Sequence, residues 1–220
     1  MEGLFYKMKD FNEDISAWNT SKVENMSSMF EDADNFDKTL NNWDVSKVKT
    51  MKNMFRGAIS FNQPLNKWNV SEVMDMEEMF EAAYKFNQNI NSWNVSKVKN
   101  MSYMFNSAKE FNQPLDKWNV SNVEDMTCMF RYTKKFNQPL NSWNVSKVKY
   151  MEEMFYDAES FNQSLNRWNV SNVKNMARMF CDAKEFNQDL SMWKVQGATN
   201  TVNMFLGSPL ENRKPKWEGQ

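Results

Sequence analysis

The chain has 220 residues and a mass of 26.2 kDa, a length open to one domain or two. Its 27 basic and 28 acidic side chains leave a formal charge of −1, which removes any global electrostatic reason to bind nucleic acid or an anionic membrane surface. Histidine is absent, taking away the commonest general base and metal ligand, and no run approaches the roughly 18 apolar residues of a membrane helix.

The amino terminus, MEGLFYKMKDFNEDISAW, lacks the apolar stretch of a signal peptide. Met1, Leu4 and Phe5 match Met26, Met29 and Phe30, so the chain opens part-way into a repeating unit. Tryptophan marks the period: Trp18, Trp43, Trp68, Trp93, Trp118, Trp143, Trp168 and Trp193 follow one another at a constant spacing of 25 residues. All 17 phenylalanines fall at two positions of that period, one series running from Phe5 to Phe205 and the other from Phe11 to Phe186. Strict spacing of this kind signals a stacked repeat.

One unit, read from Leu40, is LNNWDVSKVKTMKNMFRGAISFNQP. Leu40, Trp43 and Val45 have the L-x-x-L-x-L spacing of a short strand. Ser46 is placed as a helix N-cap, and Val48, Met51, Met54, Phe55 and Ala58 lie on one face of a helix of about three turns. Phe61 to Pro64 turn the chain back. A single unit cannot bury its apolar face, but stacked copies can. Strands about 4.8 Å apart beside helices about 8–10 Å apart predict a curved stack. The expected fold is therefore an α/β, leucine-rich-repeat-like solenoid of about eight 25-residue strand–helix coils, short parallel strands concave and helices convex. It should form one domain over residues 1–205, with 206–220 as a C-terminal cap or tail.

The last unit is atypical, with Gln196 at the serine position, an added Gly197 and Thr201 where methionine is expected. Such departures suit a terminal repeat, and Trp217, outside the tryptophan spacing, is placed to fold back as a lid. Cys128 and Cys181 sit about two repeats apart, near 10 Å or more, and read as free thiols.

The combination of W-N-V-S, V-x-x-M-x-x-M-F and F-N-Q, from Met1 to about Phe205, resembles the tandem repeats of the BspA-like leucine-rich-repeat surface proteins of the mollicute lipoprotein type. The resemblance implies a solenoid on a cell surface or outside the cell, used in adhesion or partner binding, and not an enzyme. It supplies no catalytic, cofactor or metal residue, and the absence of a visible signal leaves a cytoplasmic location as the alternative.

Three asparagine columns run through the repeat. Asn12, Asn62, Asn87, Asn112, Asn137, Asn162 and Asn187 follow phenylalanine and should bond one another or backbone groups left bare between coils. Asn41, Asn66, Asn91, Asn141 and Asn166 follow leucine. Asn19, Asn69, Asn94, Asn119, Asn144 and Asn169 follow tryptophan, where strand alternation points them outward, the last five as a candidate binding surface. A regular polar array also raises an ice-binding reading, which the expected curvature and the neighbouring long basic side chains disfavour. The 19 methionines read as a soft core, not a metal site. No phosphate loop, cysteine–histidine cluster or nucleophile elbow is present.

The repeat alternates between two spellings. The residue before tryptophan runs Lys67, Ser92, Lys117, Ser142, Arg167, and wherever it is basic the residue after the serine is not. Like charges on adjacent coils, about 5 Å apart, would repel, and alternation doubles that gap. The same alternation makes Lys67, Lys117 and Arg167 a stripe suited to an acidic partner. The expectation is a monomeric, cofactor-free scaffold binding a protein or glycan through these concave-face residues, with no nucleic acid and no membrane insertion. The alternatives are a spacer without a ligand and, more distantly, an enzyme.

Overall fold

The computed structural model describes residues 1–217, and through them runs a solenoid built from turns. Among these residues there is no α-helix and no strand longer than a single bridge. The strand–helix architecture expected from the sequence is thus incorrect. Seven parallel bridges join residue 25 to 50, 50 to 75 and onward to Asn175 and Asn200, giving one bridge per coil at the residue before the first methionine.

The reason lies in where the backbone amides go. The i, i+3 spacing that reads as a helix face is shared by linked turns, each with the N–H of residue i+3 donated to the carbonyl of residue i. In the second coil Trp43 donates to Leu40, Val48 to Val45, Met54 to Met51, Ala58 to Phe55 and Phe61 to Ala58. Every one of these turns has an apolar side chain at both ends. The amides between them leave the coil: Met51, Asn53, Phe55 and Gly57 donate to the carbonyls of Asp75, Glu77, Met79 and Glu81 in the next coil. A helix would hold all these bonds within itself.

This path requires a positive φ at two residues per coil, four apart. Asn53 (57°) and Gly57 (67°) occupy the pair in the second coil, Glu78 (55°) and Ala82 (52°) in the third. Each is the third residue of a turn, where a positive φ belongs to the type II geometry. For a residue with a side chain that conformation costs about 1–2 kcal/mol. It is offset because the same residue's N–H is the one that reaches the next coil, as with Glu78 to Ser102 and Ala82 to Asn106.

The expected core columns are buried: tryptophans from Trp43 to Trp193, the valine and methionine pairs, and both phenylalanine columns from Phe30 and Phe36 onward. Equivalent rings repeat once per coil, so their centroid separation reads the coil-to-coil displacement at that place. It is 5.4–5.8 Å along Phe30 to Phe205. It rises to 5.6–6.1 Å along Phe11 to Phe186 and to 6.2–6.5 Å along Trp18 to Trp193. The coils therefore stand farthest apart on the tryptophan side, the side expected to be concave. With no helices to hold the other side open, hydrogen-bonded backbone sets the shorter spacing there.

At the carboxyl end the tail copies the missing coil. Arg213 donates to Asn187 Oδ1 at 2.7 Å, the contact that a glutamine makes in earlier coils, and Trp217 Nε1 donates to the Leu190 carbonyl at 3.0 Å. Trp217 is buried and packs against Phe205 with the tilt seen between Phe30 and Trp43. The part of the tail after Trp217 lies outside the described residues.

Candidate functional site

The outward residues around each tryptophan are positioned by three kinds of side-chain bond between coils. First, the indole N–H of each tryptophan from Trp43 donates to the carbonyl of the leucine or isoleucine in the preceding coil, at 2.9–3.1 Å. Second, the Phe-Asn-Gln stretch forms a ladder. Asn87 Oδ1 accepts from the Asn112 N–H at 3.0 Å and from Gln113 Nε2 at 3.1 Å, and the same pair of bonds recurs at Asn62, Asn112, Asn137 and Asn162. Asp37 serves equally because only an acceptor is needed.

Third, the column after leucine explains the alternating spelling. Asn41, Asn91 and Asn141 accept from the backbone N–H of Lys67, Lys117 and Arg167, while their own amides donate to Asn66, Asp116 and Asn166. At the intervening contacts the later coil still donates, but from a side chain to a backbone carbonyl. Ser92 and Ser142 donate their hydroxyls to the carbonyls of Asn66 and Asp116. Serine can thus bond where the preceding side chain is already engaged, and a long basic residue stands where the asparagine caps its backbone. Charge alone does not reveal this coupling, because it resides in a hydrogen bond between residues 26 apart.

All ten residues singled out around the tryptophans are exposed: Lys67, Ser92, Lys117, Ser142, Arg167, Asn69, Asn94, Asn119, Asn144 and Asn169. The five asparagines are engaged locally, each accepting from the N–H two residues on, as Asn119 does from Ser121 at 3.2 Å. Their amide nitrogens still face solvent. Lys67 reaches Asn42 Oδ1 at 3.3 Å, and no carboxylate among the described residues pairs with Lys67, Lys117 or Arg167. An open cleft of about 480 Å³ brings Lys117 together with Ser92, Asn91, Gln88 and Asn66 from the two preceding coils. Such a surface can donate hydrogen bonds and positive charge to a ligand lying across the coils. It lies on the side of widest spacing, not on a concave sheet.

The thiols are chemically quiet. Burial pushes Cys128 up to about 12 and Cys181 up to about 11, so both stay protonated near neutrality.

Not singled out from the sequence as a site are the outward turn residues between the methionines and after the first phenylalanine column. There Arg131 lies over the rings of Tyr132 and Tyr156, at 4.6 and 5.3 Å. These positions change identity between most neighbouring coils, a signal visible in the sequence once the positions are known to lie side by side.

Fold and surface define a class: a tandem-repeat solenoid whose coils are chains of turns, with a polar, partly basic face along the tryptophans. Within that class, the chain belongs to the family described as Mycoplasma protein of unknown function, DUF285, which matches residues 1–118 and again 101–217. A comparison with curated proteins gives no match.

Proposed function

We propose that this chain is a non-enzymatic recognition or adhesion scaffold of the BspA-like type, displayed at a cell surface, that binds an acidic protein or glycan across its tryptophan side. The observation carrying this reading is the basic stripe Lys67, Lys117 and Arg167: three exposed cations on alternate coils, none with a carboxylate partner among the described residues. Unpaired charge at a regular spacing of two coils favours an extended ligand with repeated anionic groups. The intervening serines and asparagine amides supply neutral hydrogen bonds between the charges.

The test is a binding screen against glycans and surface proteins, followed by the triple change K67E/K117E/R167E. These side chains are exposed, and apart from one exposed Lys67–Asn42 bond it is their backbone amides that join the coils, so the variant should fold. Binding should be lost. Affinity unchanged by the triple replacement overturns the reading, and a chain that captures nothing from the screen is a spacer.

A further inference from the structure

A second charged cleft lies beside the bridges, and its composition departs from the balanced one at the equivalent place in the first coils. It has a volume of about 320 Å³ and is lined by Glu124, Lys147, Lys149, Asn172 and Lys174. Lys149 donates its backbone N–H to Glu124, and Lys174 donates to Lys149, both at 2.8 Å, so the three occupy consecutive rungs. Lys149 pairs with Glu124 at 2.6 Å, and Lys147 donates to Asn122 at 2.6 Å. No carboxylate among the described residues pairs with Lys174. An adjoining cleft shares Glu124 and Lys149 and extends to Lys99 and Tyr150.

The equivalent positions in the first three coils are Glu24, Lys47, Lys49, Glu72 and Met74. There two lysines meet two glutamates, and Lys49 pairs with Glu24 at 2.6 Å. In the later coils asparagine stands for Glu72 and lysine for Met74, so three lysines meet one glutamate. Asn172 is turned away, its amide donating to the Ser146 carbonyl at 2.7 Å. Placing Lys174 on the rung beside Lys149 sets like charges side by side, which costs the stack stability and concentrates positive potential. Each ammonium group has three donors, and the contacts above leave most of them unused.

We propose that the Lys147–Lys149–Lys174 cleft binds a tetrahedral oxyanion, a sulfate or phosphate group, either free or carried on a polysaccharide. The three lysines line one cleft with a single carboxylate among them, and solvent access admits a chain as readily as a single ion. This site is separate from the Lys67 stripe and stands or falls without it.

The test titrates the full chain with inorganic sulfate, with a sulfated hexasaccharide and with the same hexasaccharide unsulfated, at low ionic strength. The parent should bind sulfated probes and not the unsulfated one. Replacing two lysines, K147Q/K174Q, should weaken binding about tenfold or more, with steep loss on adding salt. The matched change K47Q/K49Q in the balanced early coils should leave affinity for inorganic sulfate unaltered. Tighter binding of the hexasaccharide than of free sulfate assigns a polysaccharide, and equal binding assigns the free ion. The proposal is overturned if the parent binds neither sulfated probe, or if K147Q/K174Q, with an unchanged unfolding temperature, binds as the parent does.

Discussion

The two halves of each coil hold their neighbours by different means. From the bridge residue through the methionine turns, backbone amides bond backbone carbonyls in the next coil, as Met101, Tyr103, Phe105 and Ser107 do to Asp125, Thr127, Met129 and Arg131. From Phe111 to Val120 the inter-coil polar contacts instead run largely through side chains: the asparagine ladder, the leucine-column asparagines and the indole N–H. The backbone half tolerates nearly any outward residue and varies freely. Its partner half is restricted to a few letters because the letters themselves make the bonds.

A natural exception supports this. In the bridge column most residues carry a side-chain acceptor for the N–H two residues on, as Asp125 does for Thr127 at 2.8 Å. Tyr150 has none suited to it, yet both of its bridges are intact. The comparison would break if the two halves responded alike to losing one acceptor. Asn112→Ala removes the acceptor for the Asn137 N–H and one of two acceptors for Gln138 Nε2, which keeps the Asn112 carbonyl; the partly buried N–H left unsatisfied should destabilise the chain by about 2 kcal/mol. Asp125→Ala should cost about 1 kcal/mol or less. Equal losses in urea unfolding would mean that the ladder is decoration on a backbone-held stack.

The next effect is smaller but changes sign with the architecture. Ala82 has φ of 52°. In a helix, replacing alanine by glycine costs about 1 kcal/mol. In a turn with positive φ glycine relieves strain, so Ala82→Gly should raise stability by about 1 kcal/mol. A decrease in the unfolding midpoint would restore the helical reading of this segment.

That sign marks the limit of what the sequence disclosed. The period, the core columns and the asparagine ladder were all readable, because burial and in-register bonding depend on which residues recur and not on the path between them. The path was not readable. Val48, Met51, Met54, Phe55 and Ala58 satisfy a helix and a chain of turns equally, and the residues that must take positive φ include Tyr103, Cys128 and Glu153, which carry no turn signal. Glycine at Gly3, Gly57 and Gly207, with asparagine or aspartate at a few equivalent places such as Asn53 and Asp182, was a scattered hint. The alternation before tryptophan was visible as charge, while the bonds beneath it, backbone N–H to side chain at Asn41 and side chain to backbone carbonyl at Ser92, needed the neighbouring coil in place.

The backbone half's freedom to vary also lets it gather charges that the amide half lacks, and this predicts a difference in response to pH. Around Arg56 stand three carboxylates: Glu31 at 2.8 Å from Nη1, and Glu78 and Glu81 each at 3.0 Å from Nε. One guanidinium cannot neutralise three acids. Burial, and then the adjacent Glu81, push the Glu78 carboxyl up to about 7 from an ordinary 4.5. The folded chain therefore holds this proton more tightly than the unfolded chain. That contribution is full below about pH 4.5 and is lost as pH rises through about 7. Stability should accordingly fall between pH 5 and 8, by about 1 kcal/mol once solvent screening of this half-buried group is allowed for. Glu78→Gln, which keeps the shape and removes the titration, should flatten that slope and raise stability at pH 8. If the variant keeps the parent's slope, the titrating group lies elsewhere and Arg56 neutralises its neighbours after all.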